Sequence, residues 1–345
     1  MDQAIKQKIN CLILSDQRPG HYHLSEGVVA ALERVYDVGT QTLNVTKRTI
    51  VQNRFLRFLH TIKIIPPSLL LQLGYGVSKK HVEPYDVVIS AGSSTLIANI
   101  AFAKLRNAHN IFCGSLRNLD AEDFSVVITS YQRDAERPHH VAMLKPSVLD
   151  PDRLGRPKYV EPLSAENPPQ HIALLIGGDS ATFQYKREEW YALFNLMEEI
   201  TEAWGTKWLV STSRRTDDKI ADILKQIASM NNIIEEYIDY RVAGPGTLTS
   251  LFAKADAVMC TEESSTMISE AINARLPVIG IAPEDHYFHE AENEYRDYLL
   301  ENNWTRSAYI TDLSVLRLDQ LLSEIEPITH NPLDKLARVL HERLS

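Results

Sequence analysis

From Val38 to Val82 the chain carries no aspartate or glutamate, although its formal net charge is −9. That gap holds Lys47, Arg48, Arg54, Arg57, Lys63, Lys79 and Lys80, so one segment is cationic while the remainder is strongly acidic. A local excess of this kind points to an anionic partner for one surface and argues against wholesale nucleic-acid binding. Cysteine is scarce as well. Cys11, Cys113 and Cys260 have no metal-ligand spacing, and each lies in or beside a strand-like apolar run, which reads as buried thiols in a reducing cytosol. There is no run of about 18 apolar residues, so no transmembrane helix is expected. The polar opening "MDQAIKQKIN" does not read as a signal peptide, and no internal repeat or low-complexity tract stands out. The expected location is the cytoplasm.

What is present is the composition of a globular protein. With 44% hydrophobic and 23% charged residues, bulk disorder and collagen-like or disulfide-scaffold classes are excluded. A length of 345 residues exceeds what most single cores support, so two domains are expected. Apolar strand-like runs alternate with helix-like runs. "INCLILS" (9–15) precedes a helix over 24–35, "YDVVISAG" (85–92) precedes one over 94–106, and "FSVVITS" (124–130) adds a strand. The pattern restarts with "HIALLIGG" (171–178) and a helix over 187–204, then "KWLVSTS" (207–213) and a helix over 216–230. "ADAVMCT" (255–261), a helix over 264–274 and "PVIGIA" (277–282) follow. Apolar strands each followed by a helix predict buried parallel sheets with right-handed crossovers, an α/β fold. The proline-rich stretch 145–170 suits a linker. It divides the chain into a domain over 1–150 and another over 165–330, with a last helix (331–345) that could return to the first. Ligands are expected outside the carboxyl ends of the strands, in a cleft between the halves.

Several motifs sit at such strand ends. "SDQRPGHYHL" places Asp16, Arg18, Gly20, His21 and His23 in a polar loop, either a working site or a turn. In "IGGDSATF", Gly177 and Gly178 permit close backbone approach, Ser180 or Thr182 offers a hydroxyl to an oxyanion, and N–H groups at the following turn can bind phosphate, unless this is a plain turn. "STSRRTDD" presents Arg214 and Arg215 as forks suited to a diphosphate, or as partners of Asp217 and Asp218 in a solvated cap with Thr216 at the N-cap. Thr247 reads as the cap of a short helix. "CTEESSTMISEA" clusters Ser264, Ser265 and Thr266 at a helix N-terminus, a second phosphate site. Glu270, further along that helix, could accept both hydroxyls of a ribose or be an ordinary surface residue.

The segment "CTEESSTMISEAINARLPVIGIAPEDHYFHEAEN" resembles the nucleotide-binding segment of GT-B glycosyltransferases, nearest in pattern to the enzyme that adds N-acetylglucosamine in making lipid II. The whole chain resembles the mitochondrial-fission ELM family of GT-B glycosyltransferases. Its matches are "SDQRPGH" (15–21), "VVISAGSST" (87–95), "LIGGDS" (175–180), "TSRRT" (212–216) and "SSTMISEA" (264–271). The resemblance implies two Rossmann-like, doubly wound domains facing across a cleft. It also implies that Glu270 binds the donor ribose and that the "IGGDS" loop with Ser264–Thr266 holds the diphosphate. Arg18, Gly20, Gly92, Ser93 and Ser94 fall on the acceptor side. The chain departs from the family pattern at Leu24, where glutamine is common, and at Ser93 and Ser94, where an arginine pair is usual.

The segment "RFLRFLHTIKIIPPSLLLQL" (54–73) spaces Phe55, Leu56, Phe58, Leu59 and Ile62 at helical intervals, flanked by Arg54, Arg57 and Lys63 and ended by Pro66 and Pro67. It reads as an interfacial helix on an anionic membrane, or as a buried helix with snorkelling basic residues. The functional expectation is inverting, metal-independent transfer of a sugar from a nucleotide-sugar to a glycan or glycolipid of the cell envelope, lipopolysaccharide included. Arg214 and Arg215, or helix N-termini, would stabilise the leaving diphosphate; Asp16 and His21 are the candidates for the base, with Asp16 ranked ahead and His21 given an orienting role. His23 and His140 are bystanders, and His286 and His289 follow a strand end without further metal ligands. No cofactor is implied, since the nucleotide-sugar is substrate. Two alternatives stand beside this one, a GT-B-shaped nucleotide-sugar 2-epimerase and a non-enzymatic GT-B-like scaffold at membranes.

Overall fold

A computed structural model describes residues 6–46, 53–61, 65–77, 82–155, 161–230 and 232–345. The chain divides into two compact units, one running to Val148 and resuming at Pro332, the other spanning Leu149–Asn331.

In the first unit, β1 (Lys8–Ser15) leads to α1 (Pro19–Leu32), β2 (Asp37–Asn44), α2 (Asn53–Thr61), α3 (Pro67–Tyr75), β3 (Val87–Ala91), α4 (Leu96–Arg106), β4 (His109–Cys113), β5 (Val126–Thr129) and β6 (His140–Ala142). The strands form one parallel sheet in the order β2-β1-β3-β4-β5-β6. Side chains alternate between its faces. Leu12 and Leu14 pack with Val88, Phe102 and Phe112 on one side, and Cys11 and Ile13 with Ile89 and Ile111 on the other. The C-terminal helix (Pro332–Leu344) closes that second face with Leu333, Leu336 and Leu340, and His341 Nδ1 lies 2.8 Å from the Tyr36 hydroxyl.

Helix α1 begins earlier than the apolar pattern indicates. Pro19 stands at its first position, where a fixed φ suits the helix and no N–H is needed. Gly20, His21 and His23 therefore belong to the opening turns of a helix and not to a loop.

The expected interfacial helix is also redrawn. Leu56 is fully buried, its methyls filling the space over Gly74 of α3, while Phe55 and Phe58 are 53% and 60% exposed. Pro66 and Pro67 do not simply end α2, because Pro67 opens α3. Lys47, Arg48, Ile62, Lys63, Lys79 and Lys80 lie outside the described residues, as does the side chain of Arg54.

The second unit contains β7 (His171–Leu175), β8 (Phe183–Gln184), α5 (Arg187–Trp204), β9 (Lys207–Ser211), α6 (Asp218–Met230), β10 (Ile234–Ile238), α7 (Tyr240–Ala243), α8 (Leu248–Lys254), β11 (Ala257–Thr261), α9 (Ser265–Asn273), β12 (Val278–Ala282), β13 (Asp285–His286), α10 (Glu290–Glu301), β14 (Thr305–Tyr309) and α11 (Val315–Ser323). Its parallel sheet runs β10-β9-β7-β11-β12-β14, and β8 pairs separately with β13. The stretch read as a linker is divided. From Leu149 it belongs to this unit, where Arg275 pairs with Asp152 at 2.7 Å and Asn331 donates to Asp150 at 2.9 Å. Residues 156–160 of it lie outside the described residues.

Each sheet has a point where successive connections leave in opposite directions, between β1 and β3 in the first unit and between β7 and β11 in the second. Loops part there, leaving a crevice at the carboxyl ends of the strands.

Candidate functional site

At the first crevice the turn after β1 meets the turn after β3. Gln17 adopts a left-handed backbone (φ 64°), with its N–H donating to Ser15 Oγ, which turns Asp16 inward. The Asp16 side chain is only 7% exposed. Its carboxylate accepts from Ser94 Oγ at 2.5 Å and from the Arg18 N–H at 3.2 Å, and lies 2.9 Å from His21 Nδ1. Burial opposes its charge, but the hydrogen bonds from Ser94 and His21, the His21 charge and the Arg18 N–H outweigh it and hold the carboxyl below its usual range. Gly92 ends β3 with φ +85°, and a Cβ there would stand 2.3 Å from His21 Nδ1. Glycine is thus what lets the imidazole lie against the strand end.

His21 lines a pocket of about 310 Å³ together with Arg18, Gly92, Ser93, Arg117 and Lys145. Asp16 is not among its lining residues, so the imidazole stands between the carboxylate and the open space. With Nδ1 on Asp16, the other ring nitrogen is the one available for proton transfer. Gly20 is exposed in the first turn of α1 and does not line this pocket. His23 pairs with Glu26 at 3.1 Å, and His140 is buried with Nδ1 2.8 Å from the Pro138 carbonyl.

The second crevice is organised by a residue that the motif reading passes over. Glu263, in the turn after β11, has a side chain 1% exposed. It accepts from the Gly178 N–H (2.8 Å), the Tyr185 hydroxyl (2.6 Å) and Thr261 Oγ1 (3.0 Å), and pairs with Arg215 at 3.4 Å. Burial, with the Glu263 charge beside it, pushes the Tyr185 phenol far above its usual range. Gly177 donates to Thr261 Oγ1 at 2.7 Å, and a Cβ on it would fall 1.5 Å from Glu263 Oε1. A Cβ on Gly178 would meet the Arg215 carbonyl at 2.2 Å. The two glycines thus make room for Glu263 and for the neighbouring backbone. Their N–H groups are already spent inside the protein, on Thr261 and Glu263. Ser180 is likewise held in its own turn, its N–H on the Phe183 carbonyl and its Oγ accepting from Thr182.

Neither arginine of the pair caps α6. Asp217 caps it by accepting the Lys219 N–H, Asp218 pairs with Arg241, and Thr216 donates to the Gly177 carbonyl instead of serving as N-cap. Thr247 does stand at the start of α8, but its side chain caps nothing. Arg215 is tied to Glu263, while Arg214 is exposed with no partner among the described residues. Gly178 and Arg215 also border a pocket of about 440 Å³ floored by Tyr185 and Trp190, which are stacked at 4.7 Å. Ser264, Ser265, Thr266 and Glu270 do not line that pocket, so the structure separates them from it.

These four lie on or at the start of α9. Ser264 occupies the N-cap without a side-chain bond to the helix, and the first turn holds no acid. Glu270 is partly buried and has no hydrogen-bond or ion-pair partner among the described residues; burial pushes its pKa up to about 7. His286 belongs to an aromatic cluster with Phe183, Phe288 and Tyr309, and His289 is exposed. Among the described residues no three His, Cys, Asp or Glu side chains are grouped to hold a metal.

The signal for Glu263 was in the sequence. Two consecutive acids directly follow the apolar strand β11, an uncommon place for charge beside a buried sheet. Glu262 turns to the buried Arg296 at 3.2 Å. Arg117 and Lys145 carried no such signal, because they lie in irregular chain.

No functionally curated protein matches the sequence. Among solved structures, a UDP-N-acetylglucosamine 2-epimerase aligns over 99% of this chain and 96% of its own, with TM-score 0.56 and 10% identity. The Methanocaldococcus jannaschii UDP-GlcNAc 2-epimerase, solved with UDP-GlcNAc and UDP, aligns over 97% and 100% with TM-score 0.50 and 11% identity. MurG of Acinetobacter baumannii aligns over 97% and 99% with TM-score 0.49 and 11% identity. The two epimerases establish the GT-B type of fold for the paired six-stranded sheets. The family model for mitochondrial fission ELM1 matches residues 19–344, nearly the whole chain, and the protein therefore belongs to the mitochondrial fission ELM1 family.

Proposed function

We propose that the protein is a glycosyltransferase that moves a sugar from a nucleotide-sugar to a glycan or glycolipid acceptor of the cell envelope, with inversion and without a metal. The observation that carries this reading is the array Ser94–Asp16–His21 on the wall of the first unit's pocket. A base oriented by a buried carboxylate and open to a pocket suits deprotonation of an acceptor hydroxyl. The roles are the reverse of those read from the sequence, with His21 as base and Asp16 as its positioning residue. The acceptor oxygen attacks the anomeric carbon as its proton passes to His21 Nε2, and the bond from that carbon to the diphosphate breaks. Asp16, kept ionised, stabilises the imidazolium so formed. In the second unit Arg214 and the uncapped start of α9 take the charge of the leaving diphosphate, and Glu270 accepts the ribose hydroxyls.

Peripheral attachment to the cytoplasmic face of a membrane accompanies this reading. Exposed Phe55 and Phe58 on α2, and Leu69 and Leu73 on α3, support it. No described helix is long and apolar enough to cross a membrane. The second reading, a nucleotide-sugar 2-epimerase, draws on the fold shared with the two epimerases. It predicts conversion of a nucleotide-sugar with no acceptor present. Calorimetric titration of uridine and cytidine diphosphates is the first test. Binding of either is expected, and failure of both would sink the transferase and epimerase readings together, leaving a non-enzymatic scaffold.

A further inference from the structure

We propose that the pocket beside His21 receives an acceptor bearing a phosphate ester, held by Arg18, Arg117 and Lys145. This rests on the transferase reading and deepens it.

The three cations come from separate parts of the unit, ahead of α1, after β4 and after β6, and converge on one cavity of about 310 Å³. That volume suits a sugar phosphate. No aspartate or glutamate is among the described residues lining it, in a chain of net charge −9. Asp16 lies outside the lining, bonded to His21 and Ser94, and reaches only Arg18 Nε among the three cations, at 4.0 Å. Ser93, Ser115 and Ser130 add hydroxyl donors to the wall. A neutral sugar would need hydroxyl partners but not three positive charges. A phosphate ester carries close to two negative charges and matches the guanidinium fork.

The placement of Arg117 is itself constrained. Its backbone and that of Asn118 are left-handed (φ 52° and 72°), a conformation that disfavours side chains other than glycine. Arg57 of α2 donates to the Arg117 carbonyl at 2.8 Å and pins the turn.

The phosphate could belong to a soluble sugar phosphate or to a lipid-linked one, and the test separates them. The full chain is titrated with glucose 1-phosphate, glucose and glucuronate, and separately with phosphatidylcholine vesicles with and without a polyprenyl phosphate. Arg117→Glu and Arg18→Glu, both at exposed side chains, are compared with the parent after their melting temperatures are shown to be unchanged. Binding of glucose 1-phosphate that weakens about tenfold or more in both variants supports the proposal with a soluble source. Binding only to the polyprenyl phosphate vesicles, lost in the same variants, supports it with a lipid-linked source. Phosphate binding that is absent or indifferent to both substitutions, or glucuronate bound as tightly as the phosphate, overturns it. Neither titration contains nucleotide, so its failure leaves the transferase reading standing, and failure of nucleotide binding leaves the pocket's chemistry standing.

Discussion

Each unit holds a carboxylate at its switch point, and the two meet different fates. Asp16 in the first unit accepts a hydrogen bond from across the crevice, from Ser94 after β3. Glu263 in the second does the same, from Gly178 after β7. In both, a strand-end glycine is the mould for a neighbouring side chain, Gly92 for His21 and Gly177 for Glu263. The difference lies in what closes the assembly. Glu263 is covered by Tyr185 and Arg215 and ends as a strut. Asp16 is covered by a histidine that is itself 31% exposed and lines a pocket. A buried acid at a switch point is thus not by itself a catalytic group; what matters is whether its partner at the pocket can take up a proton, as an imidazole can and a guanidinium cannot.

Changes made in parallel on the two sides should separate strut from working group. His21→Gln carries the largest expected effect, a fall in sugar transfer of about 10²–10⁴-fold with little change in melting temperature. Retention of full turnover would remove His21 from the chemistry. Gly177→Ala should come next, costing roughly 3–5 kcal/mol in urea unfolding, because the added methyl evicts a buried carboxylate from its donors. Gly92→Ala, where His21 can swing outward, should cost about 1–2 kcal/mol of backbone strain while impairing transfer. Equal unfolding costs for the two glycines would erase the distinction.

Glu270 tests the second unit without touching the strut. Its folded pKa of about 7 lies above the ordinary carboxyl value, so its contribution to stability is fully present below about pH 4.5 and is lost as pH rises through 7. Glu270→Gln should therefore raise the melting temperature at pH 8, by the equivalent of up to ~3 kcal/mol, with no gain at pH 4, while weakening nucleotide binding. Equal gains at both pH values would contradict the assignment. Arg214→Ala is the smallest, a weakening of uridine diphosphate binding by about tenfold with stability unchanged.

The inner strands were legible because they are apolar on both faces, as β1, β3, β5, β7, β9, β11 and β12 show. All four edges, β2, β6, β10 and β14, escape that signal. "DVGTQTLN" of β2 is half exposed along its length and has a neighbour on one side only. β4, "HNIFC", is an inner strand with too short an apolar run to register. At the sites, residue types at strand ends were readable from the motifs, whereas their partners were not. The glycine pair at 177–178 reads as a point of close backbone approach, but not as the space that Glu263, distant in sequence, takes up. Likewise the ranking of Asp16 over His21 could not anticipate which of the two the fold turns towards the pocket.

The return of the last helix to the first sheet sets an order of assembly. Everything the second unit needs, Leu149–Asn331, leaves the ribosome before the helix Pro332–Leu344 that covers Cys11, Ile13 and Ile89. During synthesis the domain that begins the chain is therefore the last to close its core, and one face of its sheet is covered by α1 alone while the nested domain folds. A premature stop just after Asn331 would spare the nested domain and strip the outer one of that cover.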